Sequence, residues 1–276
     1  MLVESYEEIS VLRMQRVKSS VLLTREFLDS LSQVFADVKA NYRHEFKKMI
    51  EKKKNQNKFS FSTIQKNGKT VSVFLSSNSK FYGDIVQKVF QEFLADIEKS
   101  SSDIVIVGRV GRELFSQSGV KKDYQYYDLS DQEVKTDDLK NLVMYLIKYE
   151  FVHVYHGKFN NMVTQLAAMS NISGEQTVEE DQKEVENPFF FEPSLDKILN
   201  FFETQVFTSL FKQTINESEL SRLASRIKAM EEAFGNIDKT EGELGMAMRK
   251  ANKNTQNKKQ IDSLVGIYYM SMKKGF

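Results

Sequence analysis

The sequence predicts an α/β protein in which long N- and C-terminal helices form an antiparallel coiled coil and a Rossmann-like α/β domain lies between them. Three observations carry this prediction. Apolar residues near both ends recur at alternating spacings of three and four, which holds a narrow stripe on one helix face. The middle of the chain instead alternates short β-branched runs with helical patterns, as βαβ units require. The two prolines, Pro188 and Pro193, lie outside both end segments, so neither segment contains the residue that most reliably stops a helix.

The first helix is expected within residues 1–55. Val17, Val21, Thr24, Leu28, Leu31, Phe35, Val38 and Tyr42 keep the alternation, Phe46 and Met49 extend it, and Lys52, Lys53 and Lys54 mark a solvated end. Nearly fifty helical residues would span on the order of 70 Å.

The α/β domain is expected over 56–195. It opens with an apolar strand around Val71, Val73 and Leu75, followed by a helix over 84–99 that places Ile85, Val89, Phe93 and Ile97 on one face. The run DIVIV at 103–107 reads as a strand closed by Gly108, residues 139–149 as a helix with Leu142, Tyr145, Leu146 and Tyr149 inside, and FVHVY at 151–155 as a further strand. Strands so spaced need a mainly parallel sheet covered on both faces. Residues 170–187 break every periodicity and carry Glu175, Glu179, Glu180, Asp181, Glu184 and Glu186, so the reading there is a mobile acidic surface loop.

The second long helix is expected over 196–276. Leu220, Leu223, Ile227, Met230, Phe234, Ile237, Glu241, Leu244, Met248, Ala251 and Thr255 alternate without a slip. Gly235, Gly242 and Gly245 lie off this stripe and each costs about 1 kcal/mol relative to alanine, so the helix needs a packing partner. Two narrow stripes at opposite ends of one chain can satisfy each other.

Composition narrows the chemistry. The 276 residues are 41% hydrophobic, enough for a sizeable core, and 39 basic against 38 acidic side chains leave a net charge of +1. No global field draws such a chain to nucleic acid or anionic lipid. The absence of cysteine excludes a disulfide framework, a thiolate metal site and thiol catalysis, and a cytoplasmic location fits. The first residues lack the basic-then-apolar pattern of a secretory signal, and no run of about 18 apolar residues occurs, so no direct membrane insertion is expected.

No catalytic, cofactor or metal residue is expected either. GRVGRELF at 108–115 has G-x-x-G spacing without the third glycine of the dinucleotide fingerprint, and reads as a plain strand-to-helix turn. His44 lies on the first long helix, and His153 and His156 are read as three apart across a strand end; without cysteine partners or an H-E-x-x-H sequence they do not make a metal site. No G-x-S-x-G elbow is present. Two basic clusters stand out: Arg13, Arg16, Lys18 and Arg25, with no acid between Glu8 and Glu26, and Arg249, Lys250, Lys253, Lys258 and Lys259. In an antiparallel pair both are expected to converge on one tip, a basic end suited to acidic loops of a partner.

Four blocks resemble the gamma subunit of F-type rotary ATPases. Residues 8–27, EISVLRMQRVKSSVLLTREF, are similar to the family's opening E-I-x-x-R-I-K-S-I-K-N-T-Q-K-I-T-K-A-M, with Arg16 to Ser19 on R-I-K-S and, after a gap, Thr24 and Arg25 on T-K. SSNSKFYGDI at 76–85 stands where the family has T-S-D-R-G-L-C-G-G-L and keeps Ser77 and Gly83. FFFEPSLDKIL at 189–199 resembles Y-x-F-E-P-S-x-E-x-I-L, and SRIKAMEEAFGNI at 225–237 resembles A-R-M-x-A-M-x-x-A-T-x-N-A, retaining Arg226, Ala229, Met230, Ala233 and Asn236.

The resemblance implies a central stalk turning inside a ring of alpha- and beta-type ATPase subunits. Arg13, Arg16, Lys18, Thr24, Arg25, Phe27, Arg226, Met230, Asn236, Arg249, Asn252 and Lys253 would meet that ring. It also implies no cofactor of the chain's own, an epsilon-like partner and a membrane rotor ring below, and a place peripheral to the membrane on its cytoplasmic face. The chain departs from the pattern at Phe27, where the family has methionine, at Asn252 and Lys253 for its Arg-Gln pair, and at Lys80, Tyr82 and Asp84 for a glycine, a cysteine and a second glycine. The loop changes are expected to bear on the lower domain that meets epsilon and the membrane ring. Two loads therefore stay open: a proton-translocating ring, or another device driven by an F-type-like motor of the kind mycoplasmas carry, some associated with gliding. From the heptads alone, a non-motor coiled-coil scaffold also stays open.

Overall fold

The computed structural model describes residues 2–41, 66–131, 134–172 and 195–273. Along the chain run α1 (Leu2–Asn41), β1 (Thr70–Leu75), α2 (Ile85–Ile97), β2 (Asp103–Val107), α3 (Arg109–Gln117), β3 (Tyr124–Tyr127), α4 (Thr136–Leu146), β4 (Phe151–Phe159), β5 (Gln165–Asn171) and α5 (Leu195–Lys273). The five strands lie in the order β3-β2-β1-β4-β5. The first four are parallel, and β5 returns antiparallel to β4.

The predicted strands form because their β-branched and aromatic residues fill both faces of a buried sheet at period two. Val71, Val73, Leu75, Val105, Val107, Val152 and Val154 point to one side, where Leu142, Val143 and Leu146 of α4 and Phe207, Phe211 and Ile215 of α5 cover them. Phe74, Ile104, Ile106 and Tyr155 point to the other, under Ile85, Val89, Phe93 and Ile97 of α2 and Phe115 of α3. The result is a three-layer sandwich. Its first layer contains the start of the C-terminal helix, so that helix is part of the α/β core before it leaves it.

Two strands escaped the sequence reading. YQYY of β3 is only four residues long and QLAAMSN of β5 is poor in β-formers; both lie on the sheet's edges, where a neighbour's ladder holds them. Ser170 and Asn171, expected to start the acidic loop, end β5 instead, and residues 173–187 of that loop lie outside the described residues. The helix expected over 139–149 starts at Thr136 and ends at Leu146; Asp137 and Asp138 occupy its first turn, where carboxylates favour an earlier start. His153 and His156 both sit inside β4, and not across its end.

The terminal helices do pair antiparallel. Among the described side chains of α1, Ser10, Val17, Thr24 and Leu28 are buried, and Val17 packs with Leu220 and Leu223 of α5. Asn216 donates its side-chain amide to Ser20 Oγ at 3.3 Å. The pairing is shorter than the stripes predict. Near the start of α1, the Tyr6 ring lies 5.9 Å from the Arg226 guanidinium, so α1 begins at the level where α5 has more than forty residues still to run. Residues 42–54, expected to complete the first helix, lie outside the described residues. At 79 residues, α5 is roughly 120 Å long at 1.5 Å per residue.

Candidate functional site

In an open α/β sheet, ligands enter the crevice at the carboxyl ends of the strands where the strand order reverses. Here that point lies between β1 and β4, and α5 crosses it. Arg222 donates from Nη1 to the Ser76 carbonyl at 2.5 Å, and a Cβ on Gly157 would come within 2.6 Å of Ser221 Oγ. The chain fills its own crevice with its own helix.

The neighbouring G-x-x-G turn is occupied in the same way. Gly108 has φ +95°, and a side chain there would meet Ser77 backbone atoms at 2.8–2.9 Å, while a Cβ on Gly111 would meet Ser76 Cβ at 2.7 Å. Val110 donates its amide to Ser77 O at 2.9 Å, and Arg109 donates its amide to Asn78 Oδ1 at 2.8 Å. Two of the first-turn amides that could hold a phosphate are therefore spent on the 76–79 loop. Among the described residues no cluster of three or more potential metal ligands occurs.

What this crevice holds is a junction. Asp131 accepts the amides of Asn78 at 2.9 Å and Ser79 at 2.7 Å, and its carboxylate faces Arg222 Nη2 at 3.9 Å. Four residues on, Arg226 donates from Nε to Phe81 O at 3.1 Å and from Nη2 to Lys80 O at 2.8 Å. Tyr82, only 4% exposed, lies between the two guanidinium groups, 3.9 Å from Arg226 and 5.7 Å from Arg222. Arginine over an aromatic face is favourable, and more so when desolvated. Burial raises the Tyr82 hydroxyl's pKa, with Asp131 adding to it and Arg222, Arg226 and Arg13 opposing it. Burial also pushes the Glu219 carboxyl up to about 7, although Arg222 and Arg13 pull it down.

Two of the predicted ring-facing positions point into the chain itself. Arg226 faces inward at 5% exposure, donating to the Lys80 and Phe81 carbonyls and lying over the Tyr82 ring. Thr24 is likewise a seam position, its Oγ1 donating to Ser20 O at 2.8 Å. The remaining predicted positions lie outward: Arg16, Lys18, Arg25, Phe27, Asn236, Arg249, Asn252 and Lys253 are exposed, and Arg13 and Met230 half-buried.

The two basic clusters do not converge. Arg13 lies close enough to Glu219 to influence its ionisation, and Arg249 is thirty residues further along α5, roughly 45 Å away. The 76–83 loop is also not at the far foot of the domain. It packs on Arg222, Ser225 and Arg226, further along α5 than the Phe207, Phe211 and Ile215 that cover the sheet, and so lies on the side from which the bare helix emerges. Its departures have local uses: Tyr82 packs against Arg226 and Arg222, Lys80 pairs with Glu113 at 3.1 Å, and Asp84 pairs with Lys88 at 2.7 Å. Sequence reasoning missed Arg222 and Asp131. The available signal was S-x-x-S-R-x-x-S-R at 218–226, small residues on a helix with two arginines four apart.

Comparison with known proteins places this architecture. A family model described as ATP synthase matches residues 2–257. The ATP synthase gamma chain of Stenotrophomonas maltophilia is 20% identical over 274 residues, covering 94% of this chain and 90% of that protein. The gamma chain of Xanthomonas oryzae pv. oryzae is 21% identical, covering 89% and 85%. Among solved structures, a chain of the Euglena gracilis mitochondrial ATP synthase (OSCP/F1/c-ring) matches at TM-score 0.59 and 13% identity, covering 95% of this chain and 96% of that one. A chain of the Tetrahymena thermophila mitochondrial ATP synthase central stalk and c-ring matches at TM-score 0.56 and 15% identity, covering 84% and 99%. The protein belongs to the ATP synthase gamma family and is a central-stalk subunit of a rotary ATPase.

Proposed function

We propose that this subunit turns inside a ring of alternating alpha- and beta-type ATPase chains, itself non-catalytic and without a cofactor, and couples ATP hydrolysis or synthesis in that ring to rotation. One observation carries the reading. From Phe234 to Met270, α5 runs with almost every residue exposed, although the stripe of Phe234, Ile237, Leu244 and Met248 continues along it. A long narrow apolar stripe needs a partner along its length, and among the described residues this chain provides none. A ring lumen supplies one.

Arg249, Lys250, Lys253, Lys258 and Lys259 on the bare helix, and Arg16, Lys18 and Arg25 well below them beside the level of Asn216, give two basic belts at different heights for acidic loops of the ring. A single off-axis helix touches the ring's subunits unequally, and unequal contact with distinct conformers is what links rotation to nucleotide occupancy. No described helix is long and apolar enough to cross a membrane; in this reading the protein is held peripherally, through its complex, at the cytoplasmic face. An epsilon-like subunit or a membrane rotor would meet the opposite end, beyond the sheet's amino edge.

The test is co-purification from native extract. A stoichiometric complex with two P-loop ATPase chains supports the reading, and a lone homodimer, as a coiled-coil scaffold would form, overturns it. Charge reversal at Arg16 and Lys18 should lower the ATPase rate of the assembled complex, and an unchanged rate would remove those residues from the interface.

A further inference from the structure

At the junction, Arg222 Nε and Ser76 Oγ are buried without a hydrogen-bond partner among the described residues. Both residues are more than nine-tenths buried, at 7% and 5% exposure. A buried donor left unmet is costly, and a guanidinium more so than a neutral group. Both residues also line one cavity of about 20 Å³, together with Asp131, Ser218, Ser130 and Ile215.

The chemistry of that cavity is specific. Arg222 Nη1 is engaged by Ser76 O and Ser218 Oγ. On the other edge of the guanidinium Nη2 lies 3.9 Å from Asp131 Oδ1, and Nε beside it has no partner among the described residues. That distance is an ion pair but too long for a direct hydrogen bond, and a polar gap of this length is where a bridging water is expected. A cavity needs roughly 10–15 Å³ and two to four polar partners to hold one water. This one meets both conditions. An anion fits poorly, because the Asp131 carboxylate lines the same wall.

We propose that this cavity is a binding site for a single structural water. The water accepts the Arg222 Nε–H, donates to Asp131 Oδ1, and exchanges its remaining hydrogen bond with the Ser76 hydroxyl. It adds a bridge between the shaft helix and the loop after β3, whose Arg222 and Asp131 otherwise face each other at 3.9 Å, beside the direct hydrogen bonds that each makes to the β1 end.

The experiment uses the full chain, unmutated, in two arms. A crystal structure at 1.8 Å or better should show ordered density within hydrogen-bond distance of both Arg222 Nε and Asp131. An arginine-selective 15N spectrum in solution should show a slowly exchanging Arg222 Hε with a cross-relaxation peak to water. A bromide soak should give no anomalous peak there. A fork closed directly on Asp131 with no density between, or an Hε that contacts only protein protons, overturns the proposal. A bromide peak overturns it in favour of an anion. As a further check, Ser76→Val should displace the density and abolish the water cross-peak, whereas persistence of both would contradict the assigned partners.

Discussion

The guanidinium of Arg226 lies 3.9 Å from the ring centroid of Tyr82 while donating to the Lys80 carbonyl at 2.8 Å. One side chain of the shaft thus holds a loop of the α/β domain by its ring and by its backbone. Arginine does both at once because its guanidinium is planar and forked, whereas a lysine ammonium is a point charge that cannot stack on the ring and hold two carbonyls in that geometry. Arg226→Lys should therefore lower stability by about 2 kcal/mol, the size of lost hydrogen bonds to a charged group, seen as a lower urea midpoint with an unchanged slope. A variant within 0.5 kcal/mol of the parent, on the order of a neutral surface substitution, would show that the loop is held elsewhere.

The Arg222 and Asp131 side chains are 9% and 7% exposed and face each other. Removing one partner of such a pair strands a buried charge. Arg222→Met should cost about 3–5 kcal/mol, more than replacing an exposed pair such as Lys80 and Glu113, which is worth about 0–1 kcal/mol. Asp131 also caps two loop amides, so Arg222→Met combined with Asp131→Asn should recover part of the loss but not all of it. Thermal unfolding of the three variants measures the order.

Much of this arrangement was legible from the sequence, and the limits are physical. Val71, Val73 and Leu75 read as a strand because a parallel strand buried on both faces must be apolar throughout; β3 and β5 did not, because edge strands borrow their order from a neighbour. The seam positions Val17, Thr24 and Leu28 follow from spacing alone. Where that seam stops does not, because a stripe records that a partner exists without saying whether it is in the same chain. For this reason Met248 and Arg249 read as half of an intramolecular pair and stand bare instead. Arg226 read as a surface contact for a similar reason: a retained arginine shows that a charge is needed, and only geometry shows that Tyr82 and two carbonyls use it.

The glycines separate two kinds of position. Gly157 has Ser221 Oγ at 2.6 Å and Ile85 Cγ1 at 3.1 Å from where a Cβ would stand, and Gly83 combines φ +60° with the Ser225 side chain in the same space. Gly157→Ala should therefore destabilise the protein by about 1–3 kcal/mol through overpacking. Gly235 lies on the bare helix with open space around it, and Gly235→Ala should stabilise the isolated chain by up to about 1 kcal/mol through helix propensity. Opposite signs in urea denaturation are expected.

Glu219 supplies a pH dependence. Its carboxyl titrates near 7 in the folded chain because of burial, against 4.5 when unperturbed, so in that window the folded state holds a proton the unfolded state has lost. Stability should fall as pH rises from about 4.5 to 7 and level off above. Glu219→Gln removes this titration. Its advantage over the parent should grow between pH 5 and pH 8, and a constant difference would mean that the carboxyl titrates in its ordinary range.

The central claim is that the bare length of α5 is covered by a ring. The chain has no cysteine, so Met248→Cys introduces a single thiol at a position 68% exposed in the isolated subunit, and Met144→Cys on α4, 50% exposed, provides a control on the α/β domain. Maleimide labelling of the isolated chain and of the purified complex compares the two. If the shaft is enclosed, the cysteine at 248 reacts at least tenfold more slowly in the complex while the one at 144 keeps its rate. Equal rates at 248 in both states would contradict the account.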